Sequence, residues 1–145
     1  MADHTLYLVP NFIGEFSKDY LPKRTIEHIY SIRHFIVERE RTARAFLKAI
    51  DHPIPQNEFK FVELNKHDDY AGFKPFFDAH IHDFPIGVLS EAGLPAIADP
   101  GNEIVKYAHQ KNINVIPLSG SSSIFLALMA SGFNGQNFQF NGYLP

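Results

Sequence analysis

Short apolar segments alternate with longer segments of helical periodicity along almost the whole of this chain. The apolar segments have the length and the β-branched and aromatic content of strands. They are Thr5–Pro10, Phe35–Glu38, Phe59–Leu64, Ile86–Leu89 and Asn114–Leu118. A chain that alternates strands and helices in this way is expected to form an α/β fold, a mostly parallel five-stranded sheet with helices on both faces.

The segments between and after these strands carry apolar residues three or four positions apart, as on one face of a helix. They are Leu21–Arg33, Arg41–Ile50, Phe73–Ile81, Glu103–Lys111 and Ser122–Ser131. The last of them is apolar at nearly every position and is followed by Gly132, a residue typical of helix C-termini. Because a helix that is apolar all round is usually buried, we expect other elements to surround Ser122–Ser131 on most sides.

Length and composition are those of one ordinary globular domain. The chain has 145 residues, 45% hydrophobic and 20% charged, so residues 1–145 are expected to form one domain around one core. It contains no cysteine, which excludes disulfides, thiolate metal ligands and a cysteine nucleophile. This composition favours a reducing compartment, so we expect a cytoplasmic location.

The chain carries no pattern of membrane targeting and no strong overall charge. Its first residues, MADHTLYLVP, lack the basic and long apolar segments of a signal peptide. No apolar run approaches the roughly 20 residues of a membrane-spanning helix, so no membrane association is expected. The formal net charge of -3 produces no overall field that would attract nucleic acid. The net charge does not exclude a local basic patch.

Two glycine-bearing turns follow the fourth and fifth predicted strands and lead into helices. Ser90–Gly101 is built of small and apolar residues, which let the backbone approach a ligand closely, and Ser119–Ser123 presents hydroxyls and backbone N–H groups at a helix N-terminus. Ligands of parallel sheets bind beyond the carboxyl ends of the strands, so we predict a nucleotide-like ligand site at these turns.

Each turn also has a plain structural explanation. Gly93 and Gly101 are expected at positions of positive φ, Gly101 at a helix entry with Asp99 near the cap. Serine is among the preferred N-cap residues, so a serine such as Ser122 could simply cap its helix. For any one of these residues the two interpretations stay open.

Other clusters of polar residues give weaker signals. His80 and His82 are two positions apart and so do not share a helix face, which argues against a metal site. The sequence Glu38–Arg41 alternates in charge and is either a solvated ion-paired corner or part of the same sheet end as the turns. His67–Asp69 is either a polar loop or a proton-transfer group. No P-loop, G-x-G-x-x-G or Ser–His–Asp order is present.

Five blocks of the chain follow one another in a recognisable order and spacing. They are LYLVPNFIGE, IVERERTARAFL, VLSEAGLPAIADPG, NVIPLSGSSSIFLALMASGF and FNGYLP. These blocks resemble those of the tetrapyrrole-methylase superfamily of S-adenosylmethionine-dependent methyltransferases. The chain is most similar to the branch that methylates a ribose 2′-hydroxyl of small-subunit ribosomal RNA. The resemblance implies the first domain of a two-domain methyltransferase that encloses S-adenosylmethionine between its domains, with no metal, with RNA as acceptor and as a homodimer.

The resemblance also implies which residues hold the methyl donor. Ile13 would flank it, the turn of Ala92, Gly93 and Leu94 with Ile97 would hold its methionine portion, and Ser122 and Ser123 would line its nucleoside pocket.

Several positions depart from the usual pattern of that branch. Glu38–Arg41 replaces Glu-Asp-Thr-Arg, Leu94 replaces a threonine, and Ser119 and Ser121 stand where prolines usually flank the glycine at position 120. Binding of the donor through backbone groups tolerates such changes, whereas the identity of the acceptor could differ.

Methyl transfer from a sulfonium needs mainly positioning and exclusion of water. A ribose hydroxyl must also lose a proton, for which Glu38 and His67 are the candidate bases. The expected function is methylation of a ribose 2′-hydroxyl of ribosomal RNA. The alternatives are a methyltransferase for a tetrapyrrole or another small molecule, and a degenerate S-adenosylmethionine-binding module without catalysis.

Overall fold

The computed structural model of the protein describes residues 4–65 and 71–142. Within these residues five strands form one sheet, namely β1 (Thr5–Val9), β2 (His34–Val37), β3 (Lys60–Glu63), β4 (Ile86–Leu89) and β5 (Asn114–Pro117). They lie in the order β3-β2-β4-β1-β5, and every pairing between them is parallel. The predicted α/β fold is confirmed.

Five helices connect or follow these strands. They are α1 (Lys23–Ile29), α2 (Glu40–Ala49), α3 (Phe73–His80), α4 (Gly101–Gln110) and α5 (Ser123–Ser131). Short 3-10 turns lie at Lys18–Tyr20 and Gln56–Glu58. Helix α1 is shorter than the predicted Leu21–Arg33, because Pro22 stands at its N-cap and the N–H groups of Ser31 and Ile32 turn back to the carbonyls of His28 and Ile29.

The helices cover both faces of the sheet, as predicted. On one face α1 and α2 pack Ile29, Phe46 and Leu47 against the sheet, and on the other α3 and α4 pack Phe77 and Ile104. All five of these side chains are fully buried. Burial of one such side chain stabilises a fold by about 1.5–3 kcal/mol, so the two apolar clusters hold the sheet and its loops in place.

The register of the sheet brings four loops to one edge. The last residue of β1, Val9, lies beside Leu89 of β4, and Leu8 lies beside Pro117 of β5. Val37, the last residue of β2, also lies beside Leu89. The loops that follow β1, β2, β4 and β5 therefore leave the sheet as neighbours, at the carboxyl ends of the strands where such folds bind ligands.

Helix α5 does not have the environment that its sequence predicts. None of its residues is buried, and Phe125 and Leu126 are each 49% exposed and Met129 80% exposed. The expectation that α5 is surrounded on most sides is wrong for the described part of the chain. The helix follows β5, an edge strand, which has a neighbouring strand on one side only. Gly132, in left-handed conformation (φ +74°), ends the helix as predicted.

A buried histidine lies at the start of β2, far from the loop edge. His34 is 4% exposed, and neither Nδ1 nor Nε2 of its ring has a hydrogen-bond partner. The ring stacks on Phe84 with a centroid distance of 4.8 Å and lies 4.5 Å from the ring of His80. Burial, helped by the nearby His80, Lys60 and Arg33, lowers the pKa of His34 to about 4.

His34→Phe is expected to make the unfolding free energy of the protein less sensitive to acid. The unfolded imidazole takes up a proton below its ordinary pKa of 6.5, whereas the folded one does so only near 4, so stability is lost as the pH falls between these values. The difference between the two pKa values, at 1.36 kcal/mol per unit, corresponds to a loss of about 3 kcal/mol of unfolding free energy. The phenyl ring keeps the stacking and has no unpaired nitrogen.

Urea unfolding at a series of pH values measures this effect, with His109→Phe as an exposed control. Burial also lowers the pKa of His52 and of His80, so a smaller acid dependence will remain. An unfolding free energy that falls as steeply in His34→Phe as in the unsubstituted protein would contradict the prediction.

Candidate functional site

The seven residues that the resemblance assigned to donor binding line one cavity, at the ends of β1, β4 and β5. The lining of this apolar cavity consists of Ile13, Ala92, Gly93, Leu94, Ile97, Ala98, Ser122, Ser123, Ile124 and Phe140, and its volume is about 200 Å³. The loops after β1 and β4, the turn after β5 with the start of α5, and Phe140 beyond α5 contribute to it, at positions up to 127 residues apart in sequence. The fold thus brings together residues that are distant in the chain, around a small and mostly apolar space.

Asn11, which the sequence interpretation missed, ties the loop after β1 to the loop after β4. It is 1% exposed, and its side-chain amide donates to the carbonyls of Ser90 (2.9 Å) and Glu91 (3.1 Å). Its backbone N–H donates to the carbonyl of Gly93 at 2.8 Å. Three hydrogen bonds from one residue hold the loop of Ile13 beside the loop of Gly93, both of which line the cavity. The only signal in the sequence is a polar residue directly after a predicted strand.

Gly120 brings the loop after β5 against the end of β1. A Cβ atom on Gly120 would lie 2.2 Å from Cβ and 2.7 Å from Cγ of Pro10, closer than such atoms approach in proteins. The hydroxyl of Thr25 donates to the carbonyl of Ser119 at 2.9 Å and holds the same loop from the side of α1. Glycine at this position therefore sets how near the serines of the turn come to the rest of the cavity.

Ser122 stands at the start of α5 without capping the helix through its side chain. Ser122 occupies the N-cap position of α5 with extended backbone (φ -125°, ψ 123°), but its side chain makes no capping hydrogen bond. A serine thus stands at the helix start, as the structural explanation expects, but without a hydrogen bond from its side chain to the helix. Its carbonyl accepts the N–H of Leu126 at 3.0 Å, and the side chains of Ser122 and Ser123 line the apolar cavity beside the first turn of the helix.

The segment from Ala96 to Gly101 is a strained turn that Asp99 holds together. Ala96 and Ala98 have left-handed backbone (φ 66° and 61°), which costs free energy for residues with a Cβ. The carboxylate of Asp99 accepts the N–H groups of Ala96 (2.7 Å) and Gly101 (2.8 Å). Burial raises the pKa of Asp99, and these two hydrogen bonds oppose that rise.

The glycines of this loop have different roles. Gly93 has the positive φ that was predicted (67°). The same expectation for Gly101 is wrong, since its φ is not positive. Gly101 is needed because a Cβ there would lie 2.7 Å from the backbone nitrogen of Ala96. The left-handed positions fall on alanines instead, a pattern that a search for glycines cannot find.

A second and larger cavity lies at the ends of β2, β3 and β4. This polar cavity has a volume of about 950 Å³ and is lined by Glu38, Arg39, Leu64, Asn65, Glu91, Ala96, Ala98, Asp99, Pro100 and Asn102. Ala98 lines both cavities, whereas Ile97 lines only the apolar one. The loop after β4 therefore forms the boundary between them.

Glu38, one of the two candidate bases, lies in the polar cavity. Its carboxylate accepts the backbone N–H of Glu91 at 3.1 Å. The carboxylate of Glu91 in turn accepts the hydroxyl of Thr42 at 3.2 Å and lies 3.4 Å from Nε of Arg39. These contacts join the loop after β2 and the start of α2 to the loop after β4. Glu38–Arg41 thus lies at the same sheet end as the turns, and Arg39 is also ion-paired, so both interpretations describe this segment. The other candidate base, His67, lies outside the described residues.

The histidines near the end of α3 do not converge. The ring of His80 packs on His34, whereas the ring of His82 lies against His4 at 5.3 Å. Within residues 4–65 and 71–142, no group of three or more histidine, aspartate or glutamate side chains is arranged to hold a metal ion. No helix of these same ranges has both the length and the apolar character needed to cross a membrane.

Curated relatives match the chain over nearly all of its length. Each is named ribosomal RNA small subunit methyltransferase I. The relative from Halalkalibacterium halodurans is 34% identical over 141 residues, which are 97% of this chain and 46% of the relative. One from Streptococcus pyogenes serotype M3 is 33% identical over 97% of this chain and 47% of the relative. One from Vibrio cholerae is 29% identical over 97% and 46%.

The chain thus spans about half the length of the curated relatives that it matches. No protein-family model matches it.

Proposed function

Because this chain belongs to the family of the ribosomal RNA small subunit methyltransferase I proteins, over the half of their length that it matches, we propose that it is the donor-binding part of an S-adenosylmethionine-dependent methyltransferase. The acceptor in this proposal is a ribose 2′-hydroxyl of ribosomal RNA. The observation that carries the proposal is the meeting of seven residues from three distant loops in the apolar cavity.

The lining of the apolar cavity fits such a donor. Ile13 and Ile97 offer apolar surface, while the hydroxyls of Ser122 and Ser123 and the N–H groups of the first turn of α5 can bind polar edges of a nucleoside. At about 200 Å³ the cavity is smaller than the pockets of about 300–1,000 Å³ that enclose whole ligands. We propose that a second α/β domain, for which the length of the relatives leaves room, covers the rest of the donor.

Catalysis in this proposal is mainly positioning. Bound S-adenosylmethionine supplies a methyl group that is already activated for displacement. The hydrogen bonds of Asn11 and Asp99 keep the walls of the apolar cavity in place, so that little reorganisation is needed when the acceptor arrives. Glu38, whose carboxylate accepts the N–H of Glu91 in the loop after β4, is the proposed base for the hydroxyl proton, directly or through a water molecule.

Two further features belong to the same proposal. The full-length protein would be a homodimer, for which the exposed apolar side chains of α5 offer contact area. Sedimentation of the full-length protein measures the oligomeric state, and a monomer at micromolar concentration would count against the dimer.

The protein would act in the cytoplasm, because ribosomal RNA is its proposed substrate and a chain without cysteine suits a reducing compartment.

Calorimetric titration of the full-length protein with S-adenosylmethionine and with its demethylated product tests the proposal. We expect both to bind, and we expect labelled methyl groups to enter protein-free small-subunit ribosomal RNA. If neither compound binds, the proposal is wrong. Binding without transfer to RNA would indicate a donor-binding module without this activity, and transfer only to small molecules would indicate a different acceptor.

Glu38→Gln is expected to slow methyl transfer by about a hundredfold or more, since general base catalysis contributes factors of about 10²–10⁴. The affinity for S-adenosylmethionine should stay the same, because Glu38 lies outside the apolar cavity. His67→Ala tests the other candidate base in the same assay. A variant that keeps normal turnover across the pH range removes its residue from the mechanism.

A further inference from the structure

Helix α2 carries two cations on the side that it turns to solvent. Its inner side packs Phe46 and Leu47 on the sheet. Arg41 and Lys48 are seven residues apart, close to two helical turns, so they share the opposite side, and both are exposed. Ala45, small and also exposed, lies between them. These three outer residues, Arg41, Ala45 and Lys48, form the cationic face of α2.

The cations of this face have no carboxylate beside them. Lysines on α1 and α4 are ion-paired, in the pairs Lys23–Glu27 (3.9 Å), Lys106–Glu103 (2.7 Å) and Lys111–Asp78 (3.4 Å). Among the residues that the structure describes, Arg41 and Lys48 have no such partner. The formal net charge of -3 attracts no nucleic acid to the molecule as a whole, so any attraction for phosphates must come from a local surface of this kind.

An exposed aromatic ring is held next to the same helix. Phe16, in the loop after β1, is 53% exposed. Its ring lies 5.5 Å from that of Phe12, and the ring of Phe12 lies 5.1 Å from that of Phe46 in α2. Phe16 is therefore supported on one side by other rings, while about half of it stays open to solvent. Unpaired bases of RNA stack on aromatic rings that are presented in this way.

Cations and an open ring on one surface are the combination that binds single-stranded nucleic acid. The cations attract phosphates of any sequence, and the ring stacks on a base that is free of a duplex. At a rise of about 1.5 Å per residue, Arg41 and Lys48 are about 10 Å apart along α2. A strand with one charge per about 3.4 Å covers that distance within a few nucleotides.

We propose that the cationic face of α2 and Phe16 bind a single-stranded segment of the RNA, with phosphates on Arg41 and Lys48 and one base on Phe16. The inference rests on the proposed function for the identity of its ligand. Neither the two cations nor Phe16 line the apolar or the polar cavity, so this surface is separate from both. It holds the RNA beside the site by contacts that do not depend on the nucleotide that is methylated.

The double variant Arg41→Ala/Lys48→Ala of the full-length protein tests the cationic face. The probe is a labelled single-stranded oligouridylate of about twelve nucleotides, within the usual site sizes of about 4–16 nucleotides, and fluorescence anisotropy gives its Kd over a series of salt concentrations. Each phosphate contact to a single strand contributes about 0.7 to the slope of log K against log salt, so we expect the slope to fall by about 1.4. Lys106→Ala/Lys111→Ala, which removes the same charge from α4, is the matched control and should keep the slope.

Phe16→Ala tests the stacked base in the same assay. We expect the Kd for the oligonucleotide to rise about tenfold at constant salt, with an unchanged slope because no charge is lost. Phe16→Tyr keeps a ring at this position and should keep the affinity. An RNA duplex of the same length should compete weakly with the labelled single strand.

The outcomes separate this inference from the proposed function. Calorimetry with S-adenosylmethionine involves no RNA, so absence of donor binding overturns the proposed function. Equal slopes in the two double variants, or no binding of the oligonucleotide by the unsubstituted protein, overturn the cationic face. An unchanged Kd in Phe16→Ala, or equal competition by the duplex, overturns the stacked single strand. A reduced slope in Arg41→Ala/Lys48→Ala with unchanged donor affinity and unfolding free energy supports the assignment.

Discussion

Gly120→Ala is expected to weaken the binding of S-adenosylmethionine by about tenfold or more while leaving the sheet intact. The added methyl group would lie 2.2 Å from Cβ of Pro10, which directly follows β1, a strand paired on both sides. Pro10 is buried and cannot turn away, so the turn after β5 must shift instead. Overpacking of this kind costs about 1–3 kcal/mol, and about 1.4 kcal/mol corresponds to a tenfold change in affinity.

The shift affects the cavity because Gly120 is two residues from Ser122. A displacement of that turn changes the distances of Ser122 and Ser123 from Ile13 and Gly93, which line the same cavity. Calorimetric titration and urea unfolding of the full-length protein measure the two effects separately. Gly135→Ala is the control, since nothing lies within 4 Å of a Cβ at that position and its φ is not positive. Equal donor affinity in the two variants would contradict the prediction.

Asp99→Ala is expected to lower the unfolding free energy by about 2–4 kcal/mol and to weaken donor binding with it. The substitution leaves the N–H groups of Ala96 and Gly101 without their acceptor, and an unsatisfied buried group costs about 1–3 kcal/mol. The left-handed Ala96 and Ala98 then lose the contact that holds them in strained backbone. Relaxation of this turn moves Ile97, which lines the apolar cavity.

Asp99→Asn separates the hydrogen bonds of Asp99 from its charge. The amide oxygen can still accept both N–H groups, so this variant should keep the turn and the affinity for the donor. Because burial raises the pKa of Asp99, its stabilising contribution is present below the ordinary value of 3.8 and is lost as the pH rises through the folded value. Asp99→Asn should therefore be more stable than the unsubstituted protein at pH 7 and equally stable at pH 3.

Urea unfolding at these two pH values and calorimetry with S-adenosylmethionine distinguish the variants. If Asp99→Asn loses as much stability as Asp99→Ala, the charge of Asp99 rather than its position as an acceptor holds the turn.

The sequence predicts elements well where a proline or polar residue bounds an apolar run. Strand β4 occupies Ile86–Leu89 as predicted, between Pro85 and Ser90. Helix α1 shows the limit of the approach, because apolar spacing continues from Ile29 to Ile32 although the chain has already turned. Periodicity reports which side chains are buried, whereas hydrogen bonds of the backbone decide where a helix ends.

The site could be predicted only in part, for a related reason. Resemblance to known sequences identified Ile13, Gly93 and Ser122, which the fold brings to one cavity. The contacts that position them join residues far apart in the chain, as Asn11 does with Ser90 and Gly120 does with Pro10. No local pattern encodes such pairs. The exposure of α5 was not predicted for the same reason. An apolar helix sequence indicates that the helix will be covered, but it does not indicate which element covers it.

The position of β4 between β2 and β1 has a consequence for how the protein folds. β1 and β2 are not hydrogen-bonded to each other, and each pairs with β4, which begins only at Ile86. Before β4 is synthesised, a nascent chain has no strand that could lie between β1 and β2. Pairing β4 with β1 closes a long loop of chain, which is entropically costly. Both cavities take their boundary from the loop that follows β4, so we expect them to form late, together with the centre of the sheet.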